Sequence, residues 1–368
     1  LLQKNDTGKD AVQLLYTSEV KASLRNKMNF SDGTISLKKY DTLKDFSEFY
    51  PMIPYQLDLL QQVFTKIREN SSAGKHFASG ERNLLGAVQY AALEYAEKDL
   101  GILIPFQTFY GHLDQGLDHS VRATIIKAQS TPTLQSFDVD VLKVLYLIRY
   151  LKSVPSTVEN ITTLMLDELD ADRLKLTENI TAALDRLTKE YLVQRTGLEY
   201  LFLTNEEQDI NREINHMDIP TSKMQSYIGE MIYDTVLEMK KYKYVPFAEK
   251  KTVAYDFDCA KWIDESARGN ATAEIGIHVV TPYSDDYRTR EELQQLSSRE
   301  SRLVIALGDS GTFYDDTMML LKINEYLRSQ SSKQNSGIKR EIIDRKSNER
   351  NDLMKSVERQ VRETVQNA

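Results

Sequence analysis

Residues 138 to 204 set the tightest limits on what this chain can fold into. In DVDVLKVLYLIRYLKSV, Val141, Leu142, Leu145, Ile148 and Leu151 recur at spacings of three and four, which predicts a helix with one face in a core. Pro155 ends it. A second helix is expected from Thr157 to about Met165. A third runs from Thr177, a suitable N-cap, to Tyr191, with Ile180, Leu184 and Leu187 on its buried side. VQRTGLEYLFLT then supplies two short β-branched and aromatic runs around Thr196-Gly197, where the glycine provides the positive φ of a tight hairpin.

Three helices closed by such a hairpin form the winged helix-turn-helix pattern, which either reads DNA or serves as an interaction arm. Charge weighs against reading. Between Asp138 and Thr204 there are eight Lys plus Arg and eleven Asp plus Glu, a net of −3. On the third helix Glu178, Asp185 and Glu190 outnumber Arg186 and Lys189. Because phosphate neutralisation supplies nearly all non-specific DNA affinity, contact with DNA or a partner falls to Arg186, Lys189 and, in the wing, Arg195.

The chain has 368 residues and a formal charge of −8, enough for two to four domains and not the balance of an evident nucleic-acid or anionic-membrane binder. Its one cysteine, Cys259, excludes an intramolecular disulfide and a cysteine zinc cage, which fits a reducing, cytoplasmic setting. No apolar run approaches the roughly 18 to 20 residues of a membrane span, and no membrane partner is expected. With no initiating methionine and a last residue inside a charged helical pattern, the chain reads as a fragment of something larger.

The expected fold class is mainly α with α+β parts. Residues 1–45 form a connector that the pattern assigns only weakly. Residues 46–137 form a helical domain, with Leu57, Leu60, Val63, Phe64 and Ile67 on one helix face, and Leu84, Leu85, Val88, Ala91, Ala92 and Tyr95 on a second helix beginning near Glu81. The winged helix occupies 138–210, and a linking helix 211–244. KTVAYDF, TAEIGIHVVTP and SRLVIAL are β-like runs with a short helix near 290 to 297, which gives a small α/β domain over 245–328. After a polar hinge, 329–368 forms an amphipathic helix or coiled-coil arm carrying Met354, Val357, Val361 and Val365.

The chemical motifs are sparse. Gly74-Lys75 resembles part of a phosphate-binding loop, but Glu69 and His76 stand where that loop needs a glycine and a hydroxyl residue. Gly308-Asp309-Ser310-Gly311 reads as a turn from strand into helix, since no histidine and acid are arranged around the serine. His76, His112, His119, His216 and His278 lack metal-ligand spacing. No catalytic residue and no metal are assigned. Arg82 would sit in the first turn of its helix, where a guanidinium either pairs on the surface or reaches a phosphate of a neighbouring domain.

Several segments together resemble one family, the large P-loop ATPase of BREX phage-defence systems called BrxC, and its relative PglY. They are FYPMIPYQLDLLQQVF, GKHFASGERNLLGAVQYAA, LDHSVRATIIKAQ, DELDADRLKLTENITAALDRLTKEYLVQRTGLEYLFLTNEEQDINREI and the helix around LLKINEYLR, spread from about residue 46 to residue 328. The resemblance implies an AAA+-like ATPase whose Walker motifs lie outside this chain, so ATP would be a cofactor of the full-length parent only and the chain itself would not be an enzyme. It makes residues 46–137 a nucleotide lid, places Arg82 where related ATPases carry a sensor arginine, and implies other BREX proteins and self-association as partners, with DNA a further one. The competing reading is a stand-alone winged-helix DNA-binding regulator.

Overall fold

The computed structural model describes residues 4–31, 37–70, 80–114, 117–238, 241–245, 255–269, 271–273, 275–285, 289–309, 311–331, 333 and 337–368. The chain separates into two compact units, Leu1–Ile210 and Asn211–Ala368, each with its own core.

Among the described residues the first unit is helical apart from one hairpin and two isolated β-bridges. It opens with α1 (Asp6–Leu15), α2 (Ser18–Lys27) and α3 (Leu43–Phe49). Asn5 and Thr17 cap the first two, accepting from the backbone N–H groups of Gly8 and Val20, and a Thr42/Asp45 capping box starts the third. This stretch, expected as a connector, contributes Val12, Leu24, Met28 and Tyr40 to the core. The apolar signal was thin because α1 and α2 each bury a single residue. Next come α4 (Pro54–Asn70), α5 (Gly80–Glu94), α6 (Phe109–Leu113) and α7 (His119–Ser130). Residues 71–79, which hold Gly74-Lys75 and His76, lie outside the described residues.

In the 138–204 stretch the elements are α8 (Ser136–Ile148), α9 (Val158–Leu164), α10 (Arg173–Lys189), β1 (Val193–Thr196) and β2 (Glu199–Phe202). α8 ends at Ile148, seven residues before Pro155 and well short of the expected stop. α10 begins earlier than expected, because Asp172 caps it by accepting from the N–H groups of Leu174 and Lys175. Thr177 is therefore no cap; its hydroxyl donates back to the Arg173 carbonyl within the helix. β1 and β2 pair antiparallel with Val193 opposite Phe202, and Gly197 turns the hairpin with φ +61. A bridge between Thr157 and Glu199 adds a third extended segment that the helical pattern had hidden.

The second unit begins within α11 (Asn205–Asn215) and continues with α12 (Thr221–Glu230), which passes into a π-helical turn, Met231–Val236. The linking helix expected over 211–244 is therefore broken between Asn215 and Thr221, and it stops before β3 (Lys241–Tyr244). β3 joins β4 (Tyr255–Ile263), β5 (Ser266–Arg268), β6 (Ile275–Val280) and β7 (Arg302–Ala306) in a mixed sheet of order β3-β4-β6-β7, with β5 paired to β4. β4, β6 and β7 are mutually parallel, while β3 and β5 run antiparallel to β4. The connection from β6 to β7 is α13 (Arg290–Glu300), opened by a Thr289/Glu292 capping box.

α14 (Gly311–Gln330) and α15 (Gly337–Gln366) pack together and complete this core. Val357 and Val361 are fully buried, alongside Phe313, Leu320, Ile277 and Val279. The amphipathic helix expected at the end of the chain is present, but its apolar face closes the second unit's core instead of extending as a coiled-coil arm. Period alone could not separate the two, since both need apolar residues at the same spacing.

The π-helical turn places Tyr233 against the sheet. Its hydroxyl lies 2.6 Å from the Trp262 carbonyl on β4 and 2.9 Å from the Ile277 carbonyl on β6, both acceptors for its proton, and it accepts from the Trp262 N–H at 3.3 Å. Burial pushes this phenol's pKa above its ordinary value. Tyr233→Phe is expected to destabilise the second unit by about 1–3 kcal/mol, the cost of orphaning buried backbone groups. Denaturant unfolding followed by the emission of Trp262, the chain's one tryptophan, measures it.

Candidate interaction site

Of the cations assigned to a DNA or partner contact, Arg186 is the most constrained. Its Nε and Nη2 donate to the two carboxylate oxygens of Asp138 at 2.8 and 2.6 Å, a bidentate pair clamping α10 to α8. Asp138 is fully buried, and its carboxylate also accepts the Gln135 N–H that opens α8. The bond to Asp138 raises the Arg186 pKa, and two of the guanidinium's nitrogens are committed inside the fold. Arg195 lies in β1, where Nε donates to the Gly197 carbonyl at 3.1 Å and the guanidinium sits 5.8 Å from the centre of the Tyr200 ring. Lys189 is exposed in the last turn of α10.

The exposed side of α10 carries Lys175 and Lys189 against Glu178 and Asp185, with Leu174 standing 78% exposed beside them. Such a face has no net charge to offer a phosphate backbone. Arg82 falls in the first turn of α5, as expected, but its side chain lies outside the described residues.

Sequence reading missed a deeply buried ion pair of this unit. Arg149 follows the end of α8 and donates through Nη1 to the Phe202 carbonyl at 3.1 Å and through Nη2 to Glu207 at 2.8 Å. The two side chains are only 10% and 5% exposed. Burial works against the guanidinium charge, but Glu207 and Tyr150 oppose it and leave the Arg149 pKa above its ordinary value. The available signal was a single cation inside LYLIRYL, a position that favours a buried partner.

In the second unit, polar groups gather at the carboxyl ends of β4 and β6, where open α/β sheets commonly bind ligands. Asp264, 1% exposed and in the left-handed region with φ +48, accepts from the Thr281 N–H at 2.6 Å and the Thr281 hydroxyl at 2.8 Å. Burial raises its pKa, partly offset by those bonds. His278 Nε2 lies 2.7 Å from the Asp264 carbonyl, which can only accept, so this nitrogen carries the proton. Glu265 accepts from the Ser284 hydroxyl and the Asp285 N–H. The arrangement ties the strand ends together and leaves the carboxylate of Asp264 enclosed by its donors.

One face of the same sheet carries an aromatic contact. The Arg302 guanidinium stacks 3.9 Å from the centre of the Trp262 ring, reaching across β6 at Gly276. A Cβ at Gly276 would stand 2.8 Å from Arg302 Cγ, so the glycine makes this crossing possible. Ser310 of the Gly308–Gly311 stretch lies outside the described residues; β7 ends at Ala306 and α14 begins at Gly311. Among the described residues no three His, Cys, Asp or Glu side chains converge as a metal site, and no helix is long and apolar enough to cross a membrane.

No solved structure matches the chain. Residues 217–368 match the family model described as the BREX ATP-binding protein BrxC fourth domain with six-stranded beta sheet. The match covers α12 and the whole mixed sheet, of which the described residues supply five strands, through to the end of α15. Residues 217–368 are therefore similar to the fourth domain of BrxC, a BREX protein.

Proposed function

We propose that this chain is a non-catalytic portion of a BREX anti-phage ATPase, coupling nucleotide state to assembly of the defence complex or to DNA engagement. The BrxC match of residues 217–368 carries this reading. In it, residues 46–137 form the nucleotide lid and 138–210 the winged helix. The order of α8, α9, α10 and the β1–β2 hairpin supports the latter, together with the Thr157–Glu199 bridge that widens the wing.

Coupling fits the chemistry better than direct reading of DNA. Arg186 is spent on Asp138, and the exposed side of α10 is charge-balanced. Lys189 and Arg195 remain as the candidate contacts to nucleic acid. Arg82, opening α5, is the candidate nucleotide sensor.

The test joins this chain to the nucleotide-binding part of its parent protein and compares Arg82→Ala with the unmodified sequence. A sensor arginine predicts a fall in ATP turnover of at least about tenfold, the worth of one charge-assisted phosphate contact. Unchanged turnover together with unchanged nucleotide affinity would remove Arg82 from the mechanism. In the same preparation, Lys189→Ala with Arg195→Ala reports on DNA engagement through the salt dependence of duplex binding.

A further inference from the structure

β3 and β4 carry an aromatic surface that the sheet does not use. Among the described residues, 255–258 of β4 pair only with β3, because β6 joins β4 from Cys259 onward. Beyond that point the sheet narrows to a two-stranded ribbon. Directly opposed residues of an antiparallel pair point to the same face, and the register sets Tyr242 opposite Phe257 and Tyr244 opposite Tyr255. One face of the ribbon is therefore aromatic at all four positions. Tyr242, Tyr244 and Tyr255 stand 43%, 44% and 52% exposed, and Phe257 is half-buried. Exposed rings grouped in this way mark a binding surface, since nothing in the core requires them.

Charge and spacing define the occupant. Among the described residues the aromatic face holds no carboxylate, and along β4 it continues through Cys259 to Lys261, whose ammonium lies 5.4 Å from the centre of the Tyr233 ring. The other face sets Lys241 and Lys243 opposite Asp258 and Asp256. Lys241 meets Asp258 at 3.3 Å, a well-exposed pair of the kind that contributes little. Lys243 makes no ion pair among the described residues. β3 is an edge strand among them, so its ammonium groups can swing to a polyanion running along the open side. In sequence, 240–251 holds five lysines and one glutamate, a local excess of positive charge in a chain of net −8. Rings alternating with cations suit a polyanion whose units have flat faces. Alternate residues of a strand stand about 6.8 Å apart, twice the roughly 3.4 Å between bases along one strand of a duplex. Successive aromatic pairs thus fit bases drawn apart, which a single strand allows and a duplex resists.

We propose that this ribbon binds single-stranded nucleic acid, with one base on the Tyr242–Phe257 pair, the next on the Tyr244–Tyr255 pair, and a phosphate against Lys243. The surface lies in the second unit and involves none of Arg82, Lys189 and Arg195. Because a ring accepts the face of any base, recognition is tolerant of sequence. A partner protein docked on the same rings would leave the ribbon with no affinity for a bare strand.

Fluorescence anisotropy of the full chain at low salt, with labelled oligothymidylate, oligouridylate and a DNA duplex of about 15 units, within the span of small single-strand-binding folds, tests the assignment. At least one single strand should bind saturably, and the tighter of the two says whether DNA or RNA is preferred. Tyr242→Ala and Tyr255→Ala should each weaken that binding about fivefold or more, the worth of one base–aromatic stack. The duplex, which forgoes both stacks, should bind at least about tenfold more weakly. Tyr242→Phe and Tyr255→Phe should stay within about twofold of the parent, because stacking uses the ring and not the hydroxyl. Lys243→Gln should lower the slope of log affinity against log salt by about 0.7, the value for one phosphate contact on a single strand. Tyr242 and Tyr255 are exposed and absent from the core, so melting followed by Trp262 emission should be unchanged in the alanine variants and separate lost binding from lost folding. Should an alanine variant melt early, the salt slope of Lys243→Gln carries the test. The proposal is overturned by no saturable binding of either single strand, which leaves the rings to a protein partner. Duplex binding as tight as single-strand binding, alanine variants that bind like the parent, or a salt slope unchanged by Lys243→Gln would each overturn it as well.

Discussion

Arg149→Ala is expected to cost the first unit about 3–5 kcal/mol, the range measured when one member of a buried ion pair is removed. The substitution strands the Glu207 carboxylate, whose side chain is 5% exposed, and strips a donor from the Phe202 carbonyl at the end of β2. Glu207 also accepts the Thr204 N–H at 2.7 Å, so the start of α11 loses order with it. Replacing both partners, Arg149→Met with Glu207→Leu, should be far milder, because no charge is then left buried without a counter-ion. Trp262 belongs to the other unit, so far-ultraviolet circular dichroism in urea is the suitable measurement. A loss below about 1 kcal/mol for Arg149→Ala would mean that the pair behaves like a solvated surface contact.

Val361→Asp is expected to unfold the second unit or to remove most of its stability. Val361 is fully buried in the core that α15 closes, and an unpaired carboxylate there costs several kcal/mol against a total domain stability of about 5–15. Met354→Asp supplies the comparison, since it lies on the same helix but is 44% exposed and should stay within about 0.5 kcal/mol of the parent. Emission from Trp262 should shift to the red for the first substitution and remain unchanged for the second. If α15 were instead an arm awaiting a partner, the unpartnered chain would tolerate both equally well.

The helices with a clear apolar stripe were legible from sequence because burial repeats there with the helical period. Leu142 and Leu145 on α8, and Ile180, Leu184 and Leu187 on α10, are all buried as the spacing required. The boundaries were less legible, since side-chain oxygens set them. Asp172 took the cap expected at Thr177, and α8 stopped at Ile148 without needing Pro155. β5, three residues long, is held by its hairpin pairing with β4 and has no periodic signal of its own. The candidate site was legible as residue types only. The sequence reading named Arg186 for its charge, but the clamp to Asp138, 48 positions away, appears only when α8 and α10 pack.

The Tyr233 hydroxyl, lodged between the peptide groups of β4 and β6, makes the helical layer a gauge of strand alignment. It meets Trp262 and Ile277 only when Lys261 stands opposite Ile277, and sliding β6 by one position would also turn Ile277 and Val279 away from the helices. Misaligned pairings are thus penalised twice, once through apolar burial and once through a polar contact that cannot re-form elsewhere. Docking of the π-helical turn and zippering of the parallel strands are consequently one event, and neither half of the unit has a reason to persist without the other.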